Sequence, residues 1–213
     1  MTPNRHLKVD PVWRGQWPEA GQPLLVVLPG RTLTAQFGLD LIDQLRLPDL
    51  AAVVLAADQN SWYPNRFMEA VERNQPDLDH SLERIAHFMT RARERGLATQ
   101  HIALLGFSQG ACLASEYIYR NPARWGAVII FTGGLIGPEH QTWQTVGDPL
   151  AGVPTLFTNS EADPWVPLTR TQQTAAVFRA LGAQVAEKVY PGRPHEVSAP
   201  ELDEARRMLA ALP

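Results

Sequence analysis

The residues best suited to do chemistry form the segment Gly-Phe-Ser-Gln-Gly at residues 106–110. An apolar run, residues 102–105, leads into this segment, and a helix-like stretch, residues 111–118, leads out of it. A buried strand, a sharp turn with a serine at its tip and a helix together make a nucleophile elbow. Small residues permit the tight turn, so the Ser108 hydroxyl should stand clear at the carboxyl end of the strand. The helix N-terminus directs free N–H groups and partial positive charge at the same place.

The alternative for this segment is a glycine-rich turn whose serine only caps the helix. Glycine makes up about 7% of an average chain, so Gly-x-Ser-x-Gly alone should occur by chance in roughly a few per cent of chains this long. The preceding strand and the following helix make the signal more specific. Catalysis further requires an acid and a histidine later in the chain.

A histidine lies where a catalytic base is expected. His195 ends a constrained turn, residues 191–195, directly after the last predicted strand. The remaining histidines lie in ordinary settings on a helix, at a strand start or in loops: His6, His80, His87, His101 and His140. We therefore predict that His195 takes the proton from Ser108. The alternative is a surface loop histidine without a role.

The acid has two candidates in one loop, residues 159–164, which contains both Glu161 and Asp163. The chain order of serine, acid and histidine is the one that this type of elbow uses. We favour Asp163, because Pro164 restricts the backbone just past it. Its carboxylate would hold the histidine tautomer and stabilise the imidazolium. Glu161 stays open as the rival.

An oxyanion hole needs two backbone N–H groups beside the nucleophile. One should come from Gln109, which directly follows the serine. The other should come from the loop after the predicted strand at residues 24–28. Pro29 has no N–H, so Arg31 is the best candidate in that loop. The alternative for this stretch is a plain β-to-α turn.

Aromatic residues lie in loops that follow predicted strands, and Trp62, Tyr63 and Trp165 are the candidates for a substrate pocket. Phe67 and Trp143 lie in loops of the same kind. Such side chains suit an acyl or aryl pocket. They suit equally well a plug over the core, or the interface of a homodimer.

The elements that must position these loops alternate between strand and helix. Apolar runs predict strands at residues 24–28, 51–55, 101–106, 127–131, 154–158 and 184–190. Helical patterns cover residues 34–45, 77–96, 109–120, 168–181 and 200–212. The last strand alternates in polarity, which is typical of an edge. The pattern predicts an α/β fold with a mainly parallel sheet, helices on both faces, and a site at the carboxyl ends of the strands.

Composition narrows the class of protein. The chain of 213 residues suits one domain, with residues 1–22 as an irregular or edge arm. The net charge of −3 is mixed along the chain, which argues against nucleic acid as a partner. Cys112 is the only cysteine, and no metal-ligand or dinucleotide motif is present, so we expect no metal and no cofactor. No apolar run approaches a membrane span or a signal peptide, so we expect a cytoplasmic protein.

Together the motifs resemble the phospholipase/carboxylesterase family of α/β-hydrolases, which includes acyl-protein thioesterases. The resemblance covers residues 24–212, and it lies in segments 62–64, 106–111, 121–122, 133–134, 163–167 and 190–196. It implies Ser108, Asp163 and His195 as a catalytic triad, with Arg31 and Gln109 as oxyanion donors. It also implies that no cofactor is needed and that the partner is a small-molecule ester or thioester.

One position departs from the family pattern. The family usually has His-Gly after the first strand, whereas this chain has Pro29-Gly30. The departure concerns the shape of the oxyanion loop and leaves the triad untouched. We expect ester or thioester hydrolysis through an acyl-enzyme on Ser108, at an open site without a large lid. The alternative is a non-catalytic small-molecule binding protein on the same fold, with Pro29 as a first sign of decay.

Overall fold

The computed structural model describes residues 3–213, and these contain a single seven-stranded sheet. The strands are β1 (Val12–Arg14), β2 (Leu24–Leu28), β3 (Ala51–Val54), β4 (Ile102–Phe107), β5 (Ala127–Phe131), β6 (Pro154–Asn159) and β7 (Gln184–Val189). Their order across the sheet is β1-β3-β2-β4-β5-β6-β7. All neighbours are parallel except β1, which pairs antiparallel with β3 at one edge.

Helices cover both faces of this sheet. They are α1 (Ala35–Leu45), α2 (Asp77–Glu94), α3 (Gln109–Arg120), α4 (Leu168–Ala180) and α5 (Ala199–Leu209). The apolar residues of α1 and α5 pack on one face, and those of α2, α3 and α4 pack on the other. Double coverage explains why β2, β4 and β5 are continuous apolar runs that are buried at every position. Short 3₁₀ turns occur at Arg5–Lys8, Asp58–Asn60, Val71–Asn74 and Thr99–His101.

The predicted fold class is confirmed, and small differences lie at the ends of elements. Helix α2 begins at Asp77, with Pro76 at the cap position, and ends at Glu94, two residues before the predicted end at residue 96. Strand β7 is the far edge, as its alternating pattern indicated. Residues 1–2 of the predicted N-terminal arm lie outside the described residues, and Val12–Arg14 of that arm form edge strand β1. Nowhere in residues 3–213 is there a helix with the length and apolarity to cross a membrane.

The strand order creates a crevice beside β4. The chain leaves β2 into α1 on one face, and it leaves β4 into α3 on the opposite face. Since β2 and β4 are neighbours, the two loops diverge from adjacent strand ends. In open parallel sheets, ligands bind at such a reversal of the strand order. The elbow with Ser108 therefore lies at the position where this fold offers space.

Candidate active site

The nucleophile turn is strained, and its glycines are needed for close packing. Ser108 has φ 55° and ψ −120°, which is an unusual backbone conformation for a residue with a side chain. A Cβ on Gly106 would lie 2.6 Å from the Ala111 Cα, and a Cβ on Gly110 would lie 2.5 Å from the Pro29 carbonyl oxygen. The sequence pattern suggested that the turn itself requires small residues. In the structure, the glycines let α3 approach the ends of β4 and β2.

Gly110→Ala tests this packing, because two effects would change the free energy of unfolding in opposite directions. Gly110 lies inside α3, where alanine would ordinarily stabilise a helix by about 1 kcal/mol. The clash with the carbonyl groups at the end of β2 should outweigh this gain, so we expect a net loss of about 3 kcal/mol. Urea unfolding measures the change. Gly152→Ala is the control, because nothing lies within 4 Å of its Cβ position and only its φ of 74° opposes the substitution. An equal or smaller loss for Gly110→Ala would contradict the packing argument.

Three loops bring together the residues of the predicted triad. The Ser108 Oγ lies 2.8 Å from His195 Nε2, and His195 Nδ1 lies 2.7 Å from Asp163 Oδ2. The other oxygen of Asp163 accepts hydrogen bonds from the backbone N–H groups of Trp165 and Val166, both at 2.9 Å. The side chain of Asp163 is fully buried, whereas that of His195 is 20% exposed. This chain of hydrogen bonds fits proton transfer from the serine to the imidazole.

The electrostatics favour an ionised Asp163. Burial acts to raise its pKa, but the hydrogen bonds from His195, Val166 and Trp165 outweigh burial and lower the pKa below its usual 3.8. The carboxylate therefore holds its charge at neutral pH and can stabilise an imidazolium. Glu161 is exposed, and its carboxylate accepts a hydrogen bond from the Gly192 N–H at 3.1 Å. Of the two acids proposed from sequence, Asp163 is the one that contacts His195.

The loop after β2 lies against Ser108. A Cβ on Gly30 would be 3.0 Å from the Ser108 Cβ, so the two turns almost touch. Thr32 and Leu33 donate their backbone N–H groups to Asn60 and Gly30. Within residues 3–213, neither the Arg31 N–H nor the Gln109 N–H has a hydrogen-bond acceptor. Both predicted oxyanion donors are therefore available to a ligand.

The side chains of these two residues have a function that the sequence did not reveal. The amide of Gln109 accepts a hydrogen bond from the Trp62 N–H at 3.0 Å and donates to the Tyr63 carbonyl at 2.8 Å. The guanidinium of Arg31 donates to the carbonyls of Tyr63, Pro64 and Asn65. Arg31 and Gln109 thus fasten the loop between β3 and α2 to the elbow.

A buried ion pair positions the histidine loop, and sequence reasoning missed it. Arg193 Nε lies 3.2 Å from Glu201 Oε2, and both side chains are almost completely buried. Arg193 also donates to the Thr132 hydroxyl at the end of β5. Glu201 accepts from the Thr158 hydroxyl in β6. The turn that carries His195 is therefore anchored to two neighbouring strands.

A cavity of about 570 Å³ opens beside Ser108 and His195. Two of the candidate pocket residues, Tyr63 and Trp165, line it, and so does Phe67. Trp62, the third candidate, does not line the cavity. Its indole N–H donates to the Pro29 carbonyl at 2.8 Å. Trp62 therefore supports the loop after β2.

Cys112 also lines the cavity, but its thiol is not suited to act as a nucleophile. Burial raises the pKa of Cys112 to about 12, so the reactive thiolate does not form at neutral pH. The described residues, 3–213, contain no group of three or more histidine, cysteine or acidic side chains that could hold a metal ion.

A mostly parallel, doubly covered sheet with a serine at a strand-to-helix elbow, followed by an acid and a histidine, defines an α/β-hydrolase. The family model for phospholipase/carboxylesterase matches residues 51–212. The chain belongs to the phospholipase/carboxylesterase family, and the resemblance noted in the sequence is confirmed.

Individual relatives agree with this assignment. A phospholipase/carboxylesterase from Dyadobacter fermentans is 35% identical, superposes with a TM-score of 0.87, and the match covers 94% of this chain and 95% of that one. Acyl-protein thioesterase 1 from Gibberella zeae is 29% identical over 158 residues, 73% of this chain. The match spans 63% of that relative's length. A carboxylesterase from Mesorhizobium loti, 20% identical over 91% of this chain and 90% of its own, shares the fold with a TM-score of 0.70.

Proposed function

We propose that this protein is a serine hydrolase that cleaves carboxylic esters, thioesters among them, through an acyl-enzyme on Ser108. The observation that carries the proposal is the unbroken series of hydrogen bonds from Ser108 through His195 to Asp163, at the wall of a cavity of about 570 Å³. The family and its solved relatives support the same reaction class.

The reaction begins when the Ser108 Oγ attacks the acyl carbon and His195 Nε2 takes its proton. Asp163 stabilises the imidazolium through Nδ1, and the N–H groups of Arg31 and Gln109 bind the oxyanion. The bond to the leaving group then breaks, and the alcohol or thiol departs with the proton from His195. Water, activated by the same imidazole, attacks the acyl-enzyme. The carboxylic acid leaves, and Ser108 regains its proton.

The lining of the cavity limits which acyl groups the site can bind. Its wall is largely apolar, with Tyr63, Phe67 and Trp165 among its members, and it lies open beside the triad. Such a surface suits the hydrocarbon part of a small or short-chain acyl group. Residues 3–213 place no lid over it, so the substrate can enter from solvent. We therefore expect activity to peak at short acyl chains.

A serine-directed fluorophosphonate probe tests the proposal without knowledge of the natural substrate. We expect one covalent adduct, located by mass spectrometry on the tryptic peptide that contains Ser108. A series of p-nitrophenyl esters from acetate to palmitate, and matched thioesters, then measures turnover. Heat-denatured protein is the control for non-specific labelling. A native protein that neither labels nor cleaves any member of the series would refute the proposal and favour the binding-protein alternative.

A further inference from the structure

The polar side chains that line the cavity are almost all engaged within the protein. Arg31 and Gln109 hold the loop between β3 and α2, as described above. The Asn65 amide donates to the Arg73 carbonyl, and the Thr32 hydroxyl donates to the Arg31 carbonyl. These groups have few donors left for a substrate. A polar group of the substrate must therefore be bound by lining residues other than these four.

Besides the buried Tyr63 hydroxyl, which has no hydrogen-bond partner in residues 3–213, the exception is Arg66. Its backbone is held, because its carbonyl accepts hydrogen bonds from the Asn74 side chain and from the Glu69 N–H. Asn74 is completely buried, which fixes this part of the loop. No acceptor in residues 3–213 binds the Arg66 guanidinium, and no described carboxylate lies within 4.0 Å of it. The side chain is exposed and projects from a fixed backbone into the lining of the cavity.

The partner that Arg66 does have is aromatic. Its Cζ lies 5.7 Å from the centroid of the Trp165 ring. Trp165 is 59% exposed, which is unusual for so large an apolar side chain. The two residues come from different loops, one after β3 and one after β6, and both line the cavity. The Arg66–Trp165 pair thus presents a cation and an apolar face side by side.

The charge of the residues that line the cavity also favours an anionic ligand. It contains the two arginines Arg31 and Arg66 and no aspartate or glutamate. The nearby acids Asp163 and Glu161 are engaged with His195 and Gly192 respectively. A ligand at the Arg66–Trp165 pair therefore meets positive charge without a competing carboxylate. One guanidinium offers a planar carboxylate a two-point, charge-assisted contact.

We propose that the preferred substrate carries a free carboxylate that binds Arg66, while Trp165 covers the hydrocarbon that links this carboxylate to the scissile bond. The substrate class is then a hemiester or hemithioester of a dicarboxylic acid, or an ester whose leaving group bears a carboxylate. This inference rests on the proposed ester hydrolysis and adds the identity of a recognition group to it.

Paired substrates with and without a carboxylate at one terminal position test the inference. p-Nitrophenyl hemiglutarate carries a carboxylate where p-nitrophenyl valerate has a methyl group. 4-Carboxyphenyl valerate, compared with 4-carbamoylphenyl valerate, moves the charge to the leaving group. For at least one pair we expect kcat/KM to favour the anion about tenfold, mainly through KM. Arg66→Gln should abolish this preference, Arg66→Lys should retain part of it, and added salt should reduce it.

Arg95→Gln is the matched control. Arg95 also lies over a tryptophan, with its Cζ 4.6 Å from the Trp17 ring centroid, but neither residue lines the active-site cavity. The variant should keep the anion preference of the wild type. A preference that is absent from the wild type, or that persists unchanged in Arg66→Gln, overturns the inference. Hydrolysis of the neutral esters would still stand in that case, and with it the proposed function.

A binding measurement separates the two proposals if no ester is cleaved. Glutarate is titrated calorimetrically into Ser108→Ala and into Ser108→Ala/Arg66→Gln. Weaker binding to the double variant, by about tenfold, supports the carboxylate site even without turnover. Equal binding, or none to either protein, overturns it.

Discussion

Ser108→Ala is expected to lower kcat/KM by about four to six orders of magnitude on any ester that the wild type cleaves. The hydroxyl oxygen lies 2.8 Å from His195 Nε2, and no other nucleophile in the cavity is activated in this way. Alanine keeps the Cβ, so the strained turn at φ 55° meets no larger side chain. The loss should therefore appear in kcat, with little change in the melting temperature. Steady-state kinetics and a thermal unfolding scan measure both quantities.

Ser115→Ala provides the control on the same helix. Ser115 is buried, and its hydroxyl donates only to the Ala111 carbonyl one turn earlier. Removal of this hydroxyl perturbs α3 without touching the triad, so catalysis should change by less than about threefold. Hydrolysis that survives in Ser108→Ala would show that the acyl group is not carried by this serine.

Much of this site is predictable because parallel sheets align the ends of their strands. Ser108 and His195 are separated by 87 positions in the chain, yet their side chains meet. Each follows a strand, and the sequence alone identifies both strands, β4 by an apolar run and β7 by an alternating pattern. Once the strands are known to be parallel, the loops after them must meet at one edge. The order of serine, acid and histidine then supplies the chemistry.

The roles of neighbouring aromatic residues were not predictable in the same way. Trp62 and Tyr63 are adjacent, of similar type, and both almost fully buried, but only Tyr63 lines the cavity. What decides between them is the position of the Pro29 carbonyl, which accepts the Trp62 indole N–H. That contact joins loops 33 positions apart, and no local pattern encodes it. Trp62 therefore stabilises the loop after β2.

The burial of the charged residues Arg193 and Glu201 was not predictable from the sequence for a related reason. Charged side chains in a loop or at the start of a helix are usually solvated, so Arg193 and Glu201 attract no attention in the sequence. In the structure they form an ion pair with 5% and 0% exposed side chains. A buried charge is tolerated only when it is paired and hydrogen-bonded, as here with Thr132 and Thr158. Only the folded chain reveals that this pair holds the histidine turn.

Asp163→Asn should reduce kcat by about four orders of magnitude with little change in KM. The carbonyl oxygen of the introduced asparagine would keep the bonds from the Trp165 and Val166 N–H groups, which now go to Oδ1 of the aspartate. The NH₂ group of the new side chain would then face His195 Nδ1, at the position that the carboxylate oxygen occupies at 2.7 Å. Donation to Nδ1 forces the ring proton onto Nε2, and a protonated Nε2 cannot accept the proton of Ser108. The histidine tautomer, followed by nitrogen NMR, should change together with the rate.

Glu161→Gln decides between the two acids of this loop. The glutamine carbonyl can still accept the Gly192 N–H, as Glu161 does at 3.1 Å, so the link between the acid and histidine loops persists. We expect kcat to fall by less than about threefold, because this exposed carboxylate does not touch the imidazole. A large loss in Glu161→Gln with a mild effect of Asp163→Asn would reverse the assignment. It would also require the two carboxylates to exchange places, and the two N–H bonds that hold Asp163 oppose such a rearrangement.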